Sequence, residues 1–475
     1  MSAQGHSGGN VGSFPPVFRG RHFAVLGLGR NGLAAASALV TMGASVAAWD
    51  DDPSQRERAA ARGIPLAAAL LDWARPEALV LSPGIPHRLP APHPLALGAQ
   101  ALGVPIVSDA ELLFRAARLA GSKARFVGIT GTNGKSTTTA LLAHMLNTGG
   151  MAAAAGGNLG PAALALPLLP DAGCYVLEMS SYMLERLDTI RFDVAMLLNL
   201  SPDHLDRHGG MAGYIAAKER IFAHRASGGV AIVGIDDEPS RGIAAALGPP
   251  LVSISGDRPA DLWCDQGALR DRLGPILALS EAPALPGAHN AENAAASSAA
   301  ALHLGLPRAL LAGALRSFAG LPHRQSRVCS TGGVTFIDDS KATNADAAAR
   351  ALACYPRLIW IAGGIGKEGG IESLAPLFPH LAEAFLIGRD APLFAATLAR
   401  HGVVHRVAGT LEAAVPAALA AARLRGVPVV LLSPAAASFD QFRNFEQRGA
   451  HFAALAHHLA TGEASSSATH QEQAA

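Results

Sequence analysis

The chain has 475 residues, half of them hydrophobic, too long for one ordinary domain and ample for several cores. A formal net charge of +1 argues against a broad basic face for nucleic acid or an anionic membrane. Four cysteines with no CxxC pair argue against a disulfide framework or a cysteine zinc site, and fit a reducing, cytoplasmic compartment.

Residues 1–18 are rich in Gly, Ser, Asn and Pro and read as a disordered N-terminus. They lack the basic start and apolar run of a signal peptide. From there, apolar runs of strand length alternate with Ala/Leu-rich helical stretches, which predicts α/β layers throughout. Residues 19–121 read as a first domain, with strands at "HFAVLGLG", "ASVAAWD" and "ALVLSPG". Residues 122–322 read as a second, with strands at "RFVGIT", "CYVLEMSS", "VAMLLNLS" and "GVAIVG". Short strands and loops are expected over 250–288, then a helix in "AHNAENAAASSAAALHLG". The candidate for a bilayer span, "AAAAGGNLGPAALALPLLP", is broken by Gly, Asn and Pro, so no membrane partner is expected. "GLPHRQ" reads as a linker. A third domain, 323–460, holds strands at "GVTFIDDS", "RLIWIAGG", "AFLIG" and "VPVVLLSP", and ends in a helix near His458. The small, polar stretch 461–475 reads as a disordered tail. A monomer is expected.

Two glycine loops stand at strand–helix junctions. In "GLGRNG", Gly27, Gly29 and Gly32 are followed about twenty residues later by Asp50, the dinucleotide fingerprint: backbone approaches a pyrophosphate at a helix N-terminus. Any ribose–pyrophosphate suits that geometry, so NAD and UDP-linked compounds both remain open. In "GTNGKST", Gly131 and Gly134 leave room for phosphate against backbone N–H groups. Lys135 supplies a point charge, and the Ser136 or Thr137 hydroxyl suits Mg²⁺. The loop is shorter than the common P-loop, whose first glycine would fall at Ile129. Lysine occurs only at 123, 135, 218, 341 and 367, against 33 arginines, and four of the five lie inside such motifs. They are candidates for work that a guanidinium cannot do.

"GTNGKSTTT" resembles the nucleotide loop of the Mur ligase family, ATP-dependent amino-acid ligases related to the folylpolyglutamate synthases. The resemblance runs from about residue 22 to 458 and includes "GGNLG", "LEMSSYML", "SPDHLDRH", "AAKERIF", "HNAENA", "GLPHR", "DDSKATN" and "GGIGK". It implies an α/β fold of three domains: a Rossmann-like N-terminal domain, a P-loop-type central ATPase domain and a Rossmann-like C-terminal domain. The first loop would hold the UDP end of a sugar-peptide, with Gly27, Gly29, Arg30, Asn31, Gly32, Asp50 and Ser82 around it. The second would hold ATP through Gly131, Thr132, Asn133, Gly134, Lys135, Ser136 and Thr137. Asn290, Asn293, Arg324 and Asp339 would meet adenine, phosphate and ribose.

Lys135, Asn158, Glu178, His204 and Lys218 are implied as catalytic. Thr137, Glu178, His204 and Lys218 are implied as ligands of two Mg²⁺ sites, with Lys218 carbamylated. "LLSPAAASFDQFRNFEQRG" most resembles the D-glutamate-adding branch, which implies UDP-N-acetylmuramoyl-L-alanine and D-glutamate as partners, joined through an acyl phosphate. Lys341, Thr343, Lys367, Ser438, Phe439 and Phe445 would form the amino-acid pocket. The chain departs from the family's "GGDGK" at Ile365, so any link made by that Asp is missing. A folate polyglutamating ligase, a nicotinamide dehydrogenase with a fused NTPase module, and a silent nucleotide-binding regulator are the competing readings.

Overall fold

The computed structural model describes residues 12–68, 75–158, 160–287, 289–367 and 369–472. Three sheets organise the chain. The first contains β1 (His22–Leu26), β2 (Ser45–Trp49), β3 (Ala78–Leu81) and β4 (Ile106–Val107), all parallel, in the order β2-β1-β3-β4.

The second sheet has nine strands: β5 (Arg125–Thr130), β6 (Ala153–Gly157), β7 (Cys174–Glu178), β8 (Phe192–Leu197), β9 (Arg225–Gly234), β10 (Leu251–Ser255), β11 (Leu262–Asp265), β12 (Ala268–Asp271) and β13 (Gly274–Ala278). Their order is β13-β12-β11-β10-β9-β8-β5-β7-β6, parallel except for the β11-β12-β13 meander. The third contains β14 (Ser326–Thr331), β15 (Val334–Asp338), β16 (Leu358–Gly363), β17 (Leu381–Ile387), β18 (His405–Gly409) and β19 (Val429–Leu432), ordered β14-β15-β19-β16-β17-β18. Only β14 runs antiparallel to its neighbour.

The chain divides into two compact units, Met1–Glu281 with Asn290–Ser317, and Ala282–His289 with Phe318–Ala475. In the first, one apolar cluster joins the helix after β1 (Leu33, Leu39) to the second sheet (Phe126, Tyr175, Phe192). In the second unit, Trp360 belongs to the cluster on one face of the third sheet and Phe336 with Phe452 to that on the other. Sheets covered on both faces read as continuous apolar strands, which is why "RLIWIAGG" and "VPVVLLSP" stand out in the sequence.

Both expected disordered ends need correction. Residues 1–11 and 473–475 lie outside the described residues, but Phe14 and Phe18 are buried, and Gly12 pairs with Leu168. Two aromatic rings anchor a segment whose composition reads as a linker. At the other end the helix Phe445–Glu472 continues past His458. Lengthening a formed helix carries no nucleation cost, so a small, polar sequence can extend one that packing has already started. Among the described residues, no helix is long and apolar enough to cross a membrane.

Candidate active site

Parallel strands gather functional loops at their C-terminal ends, and all three sheets do so near the point where strand order reverses. In the second sheet, β5 leads into the nucleotide loop and then the helix Lys135–Thr148. Gly131 and Gly134 take φ of 145° and 82°. A Cβ at Gly134 would stand 2.2 Å from Asn293 Oδ1, so the loop has no space for a larger residue. Asn293 is buried; its Oδ1 accepts from Thr138 Oγ1 at 3.1 Å and its amide donates to Asn290 Oδ1 at 2.9 Å. Both asparagines thus back the loop.

The adjacent strand end brings the reacting groups together. Glu178, at the end of β7 and buried, accepts from Ser136 Oγ at 2.7 Å and from the Asn158 amide at 2.9 Å. Ser136, rather than Thr137, is therefore the hydroxyl on the carboxylate. Thr137 is also buried, in the first turn of the same helix.

Two lysines meet on one oxygen. Lys135 Nζ donates to Gly131 O at 2.9 Å and to Thr132 O at 2.7 Å; Lys218 Nζ donates to the same Gly131 O at 2.8 Å. Lys218 is buried, with its ammonium 4.7 Å from the centre of the Tyr214 ring. Burial, and secondly the Lys135 charge, hold its amine well below the usual lysine range.

His204 lies in the loop that follows β8. It is half-exposed, sits at φ 50° before the short helix Leu205–His208, and contacts Asp203 (3.5 Å) and the Tyr182 ring (5.3 Å between centroids). Among the described residues, no three His, Cys, Asp or Glu side chains form a metal cluster. The left-handed His204 aims its ring at Tyr182.

In the first sheet, a cavity of about 310 Å³ lies against Gly27, Gly29, Asp50, Ser82 and Ile85. The glycines divide the work. A Cβ at Gly32 would lie 1.7 Å from Gly27 O, whereas one at Gly29 meets nothing within 4 Å, leaving room for a ligand. Ser82 Oγ donates to Gly27 O at 2.9 Å. Asp50 holds the loop, accepting from Leu28 N–H at 2.5 Å and Asp52 N–H at 2.9 Å. Arg30 donates to Asn158 O at 3.4 Å and Asn31 to Gly157 O at 3.3 Å, so the first glycine loop reaches the residue that holds Glu178.

In the second unit, the ends of β15, β16 and β19 carry the remaining candidates. Asp339 accepts from Ser433 Oγ at 2.7 Å and Gln325 N–H at 3.2 Å; burial pushes its carboxyl up to about 7, opposed in part by the Arg324 charge. Lys341 places its ammonium 4.6 Å from the Phe445 ring centre, and the Thr343 N–H donates to Lys341 O at 2.8 Å. Lys367 is exposed, Ser438 buried and Phe439 71% exposed. Ile365 and Ala437 exchange both main-chain hydrogen bonds, at 2.8 and 2.9 Å, bringing the Lys367 loop beside Ser438. The Gly366 N–H donates to Asp390 at 2.8 Å.

Asn199, Glu292 and Arg186 are not among the residues that sequence reasoning singled out. Asn199 accepts from the Asn133 N–H at 2.9 Å and donates to Glu292 at 2.7 Å, fixing the tip of the nucleotide loop. A Glu two residues after Asn290 in "HNAENA" was the available signal.

Two glycine loops at strand–helix junctions thus converge on one buried carboxylate through Asn158, the layout of a nucleotide-using α/β enzyme. Residues 129–301 match the Mur ligase middle domain. The chain is 50% identical over 448 residues to a UDP-N-acetylmuramoylalanine–D-glutamate ligase of Paramagnetospirillum magneticum, covering 93% of this chain and 97% of that one. It is 48% identical to the ligase of the same name from Rhizobium meliloti, covering 92% and 97%. The chain belongs to the Mur ligase family. A solved UDP-N-acetylmuramate–alanine ligase from Thermotoga maritima shares the fold, with a TM-score of 0.56 at 19% identity over 87% of this chain and 94% of that one.

Proposed function

We propose that this protein joins D-glutamate to UDP-N-acetylmuramoyl-L-alanine, using ATP through an acyl phosphate, in cytoplasmic peptidoglycan precursor synthesis. The observation that carries this reading is Asn158: it is bonded to Glu178 at the nucleotide loop, and its carbonyl accepts from Arg30 of the first glycine loop. One loop would take the UDP end and the other ATP, with no nicotinamide chemistry. Residues 19–121 would then form the UDP-binding domain, 122–322 the ATP-binding domain and 323–460 the amino-acid-binding domain.

The substrate carboxylate attacks the γ-phosphoryl group, and ADP departs. The neutral amine of D-glutamate then adds to the acyl carbon, and phosphate leaves from the tetrahedral intermediate. Two anions must meet in the first step, so fixed positive charge at the transferring group dominates catalysis. Lys135, folded onto loop carbonyls, needs only a side-chain rotation to exchange them for phosphate oxygens.

Mur ligases use ATP and Mg²⁺. Ser136 Oγ and the Glu178 carboxylate are hard oxygen donors that fit Mg²⁺, which when bound would neutralise phosphate charge. His204 would complete a second metal site only after leaving Tyr182. The depressed, buried Lys218 amine suits carbamylation: neutral nitrogen bonds to CO₂ and loses a proton, giving an anionic oxygen donor. In the second unit, Lys367 would take one carboxylate of D-glutamate. Ser438 and the Phe439 N–H would take the other, with Lys341, Thr343 and Phe445 alongside; Asp339 and Arg324 would serve the nucleotide.

The test is isotopic. With ¹⁸O in the carboxylate of UDP-N-acetylmuramoyl-L-alanine, one label should appear in the released phosphate and only D-glutamate should support turnover. Unlabelled phosphate would rule out the acyl phosphate, and equal use of L-alanine or L-lysine would rule out the D-glutamate assignment.

A further inference from the structure

The segment after β3 supplies Ser82, Gly84, Ile85 and Pro86 to the cavity at the first glycine loop. It is held from the second sheet by two arginines: Arg207 donates to Gly84 O at 3.1 Å, and Arg186 makes the remaining bonds. Arg186, just beyond the helix Ser181–Leu184, is 2% exposed. Its Nη1 donates to Leu81 O at 2.8 Å and Ser82 O at 3.0 Å, its Nη2 to Ile85 O at 2.6 Å, and its Nε to His87 Nδ1 at 3.3 Å. All four acceptors are neutral, and burial holds the guanidinium down to about 9, so it remains charged at neutral pH.

The clasp passes directly to the glycine loop. A Cβ at Gly27 would lie 2.6 Å from Ile85 Cδ1 and 2.7 Å from Ser82 Cβ, so moving this segment moves the wall on which Gly27 packs. Arg186 also follows Glu178 in the same stretch of chain, with only Met179–Glu185 between them.

We propose that Arg186 is a positioning residue that sets the sugar-nucleotide cavity at a fixed distance from the Glu178 carboxylate. The inference rests on the ligase reading above, in which one substrate spans both places: its nucleotide at Ser82 and Ile85, its reacting carboxylate near Glu178. A displacement of about 1 Å in such an anchor can cost a hundredfold in rate. The planar fork lets one side chain hold carbonyls at 81, 82 and 85 together. A lysine has three donors but on one nitrogen, so it cannot stand at both the Nη1 position that serves 81 and 82 and the Nη2 position that serves 85.

Arg186→Lys and Arg186→Gln, made in the full chain, should raise KM and Kd for UDP-N-acetylmuramoyl-L-alanine at least tenfold and lower kcat about tenfold. KM for ATP and for D-glutamate should stay within twofold. In Arg186→Ala, added ethylguanidinium should restore part of the lost affinity, which general loosening would not allow. Should the Ala variant fail to fold, the Lys and Gln variants carry the test. An unchanged Kd for the UDP substrate, or an equal rise in all three constants, would overturn the inference. Wild-type protein that binds the UDP substrate without ligating it would defeat the ligase reading instead, and the Arg186 effect would still be read in Kd.

Discussion

Replacing Lys218 with Arg should abolish activity although it conserves charge. Lys135 and Lys218 both donate to Gly131 O, so their ammonium nitrogens lie less than about 6 Å apart. At an effective dielectric near 20, two unit charges at that distance repel by about 3 kcal/mol. In the wild type, burial and this neighbour favour loss of the Lys218 proton, and the neutral amine can take up CO₂. An arginine keeps its charge and cannot form the carbamate, so the repulsion from Lys135 persists and the anionic oxygen donor is never made. Three kcal/mol corresponds to a rate loss of more than about a hundredfold. ADP release under saturating substrates measures it, with thermal unfolding as the control for folding. Lys218→Ala should also lose most activity but regain part with acetate or propionate, and wild-type activity should fall in CO₂-free buffer and return with bicarbonate. An Arg variant with more than a tenth of wild-type kcat would refute the reasoning.

The two glycines of the first loop should respond differently. Gly32→Ala, which drives a methyl into Gly27 O, should lower the thermal midpoint by several degrees, while Gly29→Ala should leave it unchanged and raise KM for the UDP substrate. Asn199→Ala removes the acceptor of the Asn133 N–H and one donor to Glu292, and should weaken ATP binding by about 1–3 kcal/mol in calorimetry, with UDP-substrate binding unaltered. Asp339 should make stability fall with rising pH. Its folded carboxyl titrates near 7 against an ordinary 3.8, so the folded state holds the extra proton. That stabilisation is complete below about pH 4 and is lost by about pH 7, up to about 4 kcal/mol. Denaturant unfolding from pH 4 to 8 should show this slope in the wild type and a flatter line in Asp339→Asn; equal slopes would remove Asp339 as the cause. Ser438→Ala should raise KM for D-glutamate more than KM for ATP, and a reversed order in steady-state kinetics would take Ser438 out of the amino-acid pocket.

Strands whose neighbours bury both faces were legible, because "RFVGIT", "CYVLE" and "VVLL" announce themselves as apolar runs. β6 was not: "AAAGG" carries no β-branched or aromatic residue, and it is a strand because Cys174–Glu178 pairs with it. β4, β14 and β18 escaped for a related reason, being short or at the sheet's margin, where pairing outweighs propensity. Within the site, loop residues that touch their own sequence neighbours could be read directly, as with Gly131, Gly134 and Lys135. Ser136 and Thr137 could not be told apart, since the choice depends on which hydroxyl the helix turns toward β7. Asn199 reaches the Asn133 N–H from the neighbouring strand end and Arg186 reaches carbonyls of the first sheet's loop, and no local pattern records a backbone group paired with a distant side chain.

Position 365 holds isoleucine where a carboxylate was expected, yet the loop around it is fastened by main-chain atoms: Ile365 to Ala437 in both directions, and the Gly366 N–H to Asp390. Such a fastening is blind to the side chain it passes through. An inhibitor that gripped the residue at 365 could be escaped by a single codon change at little cost to the enzyme. One that competed for the Gly366 N–H or the Ala437 carbonyl would confront groups that mutation cannot remove without breaking the loop itself.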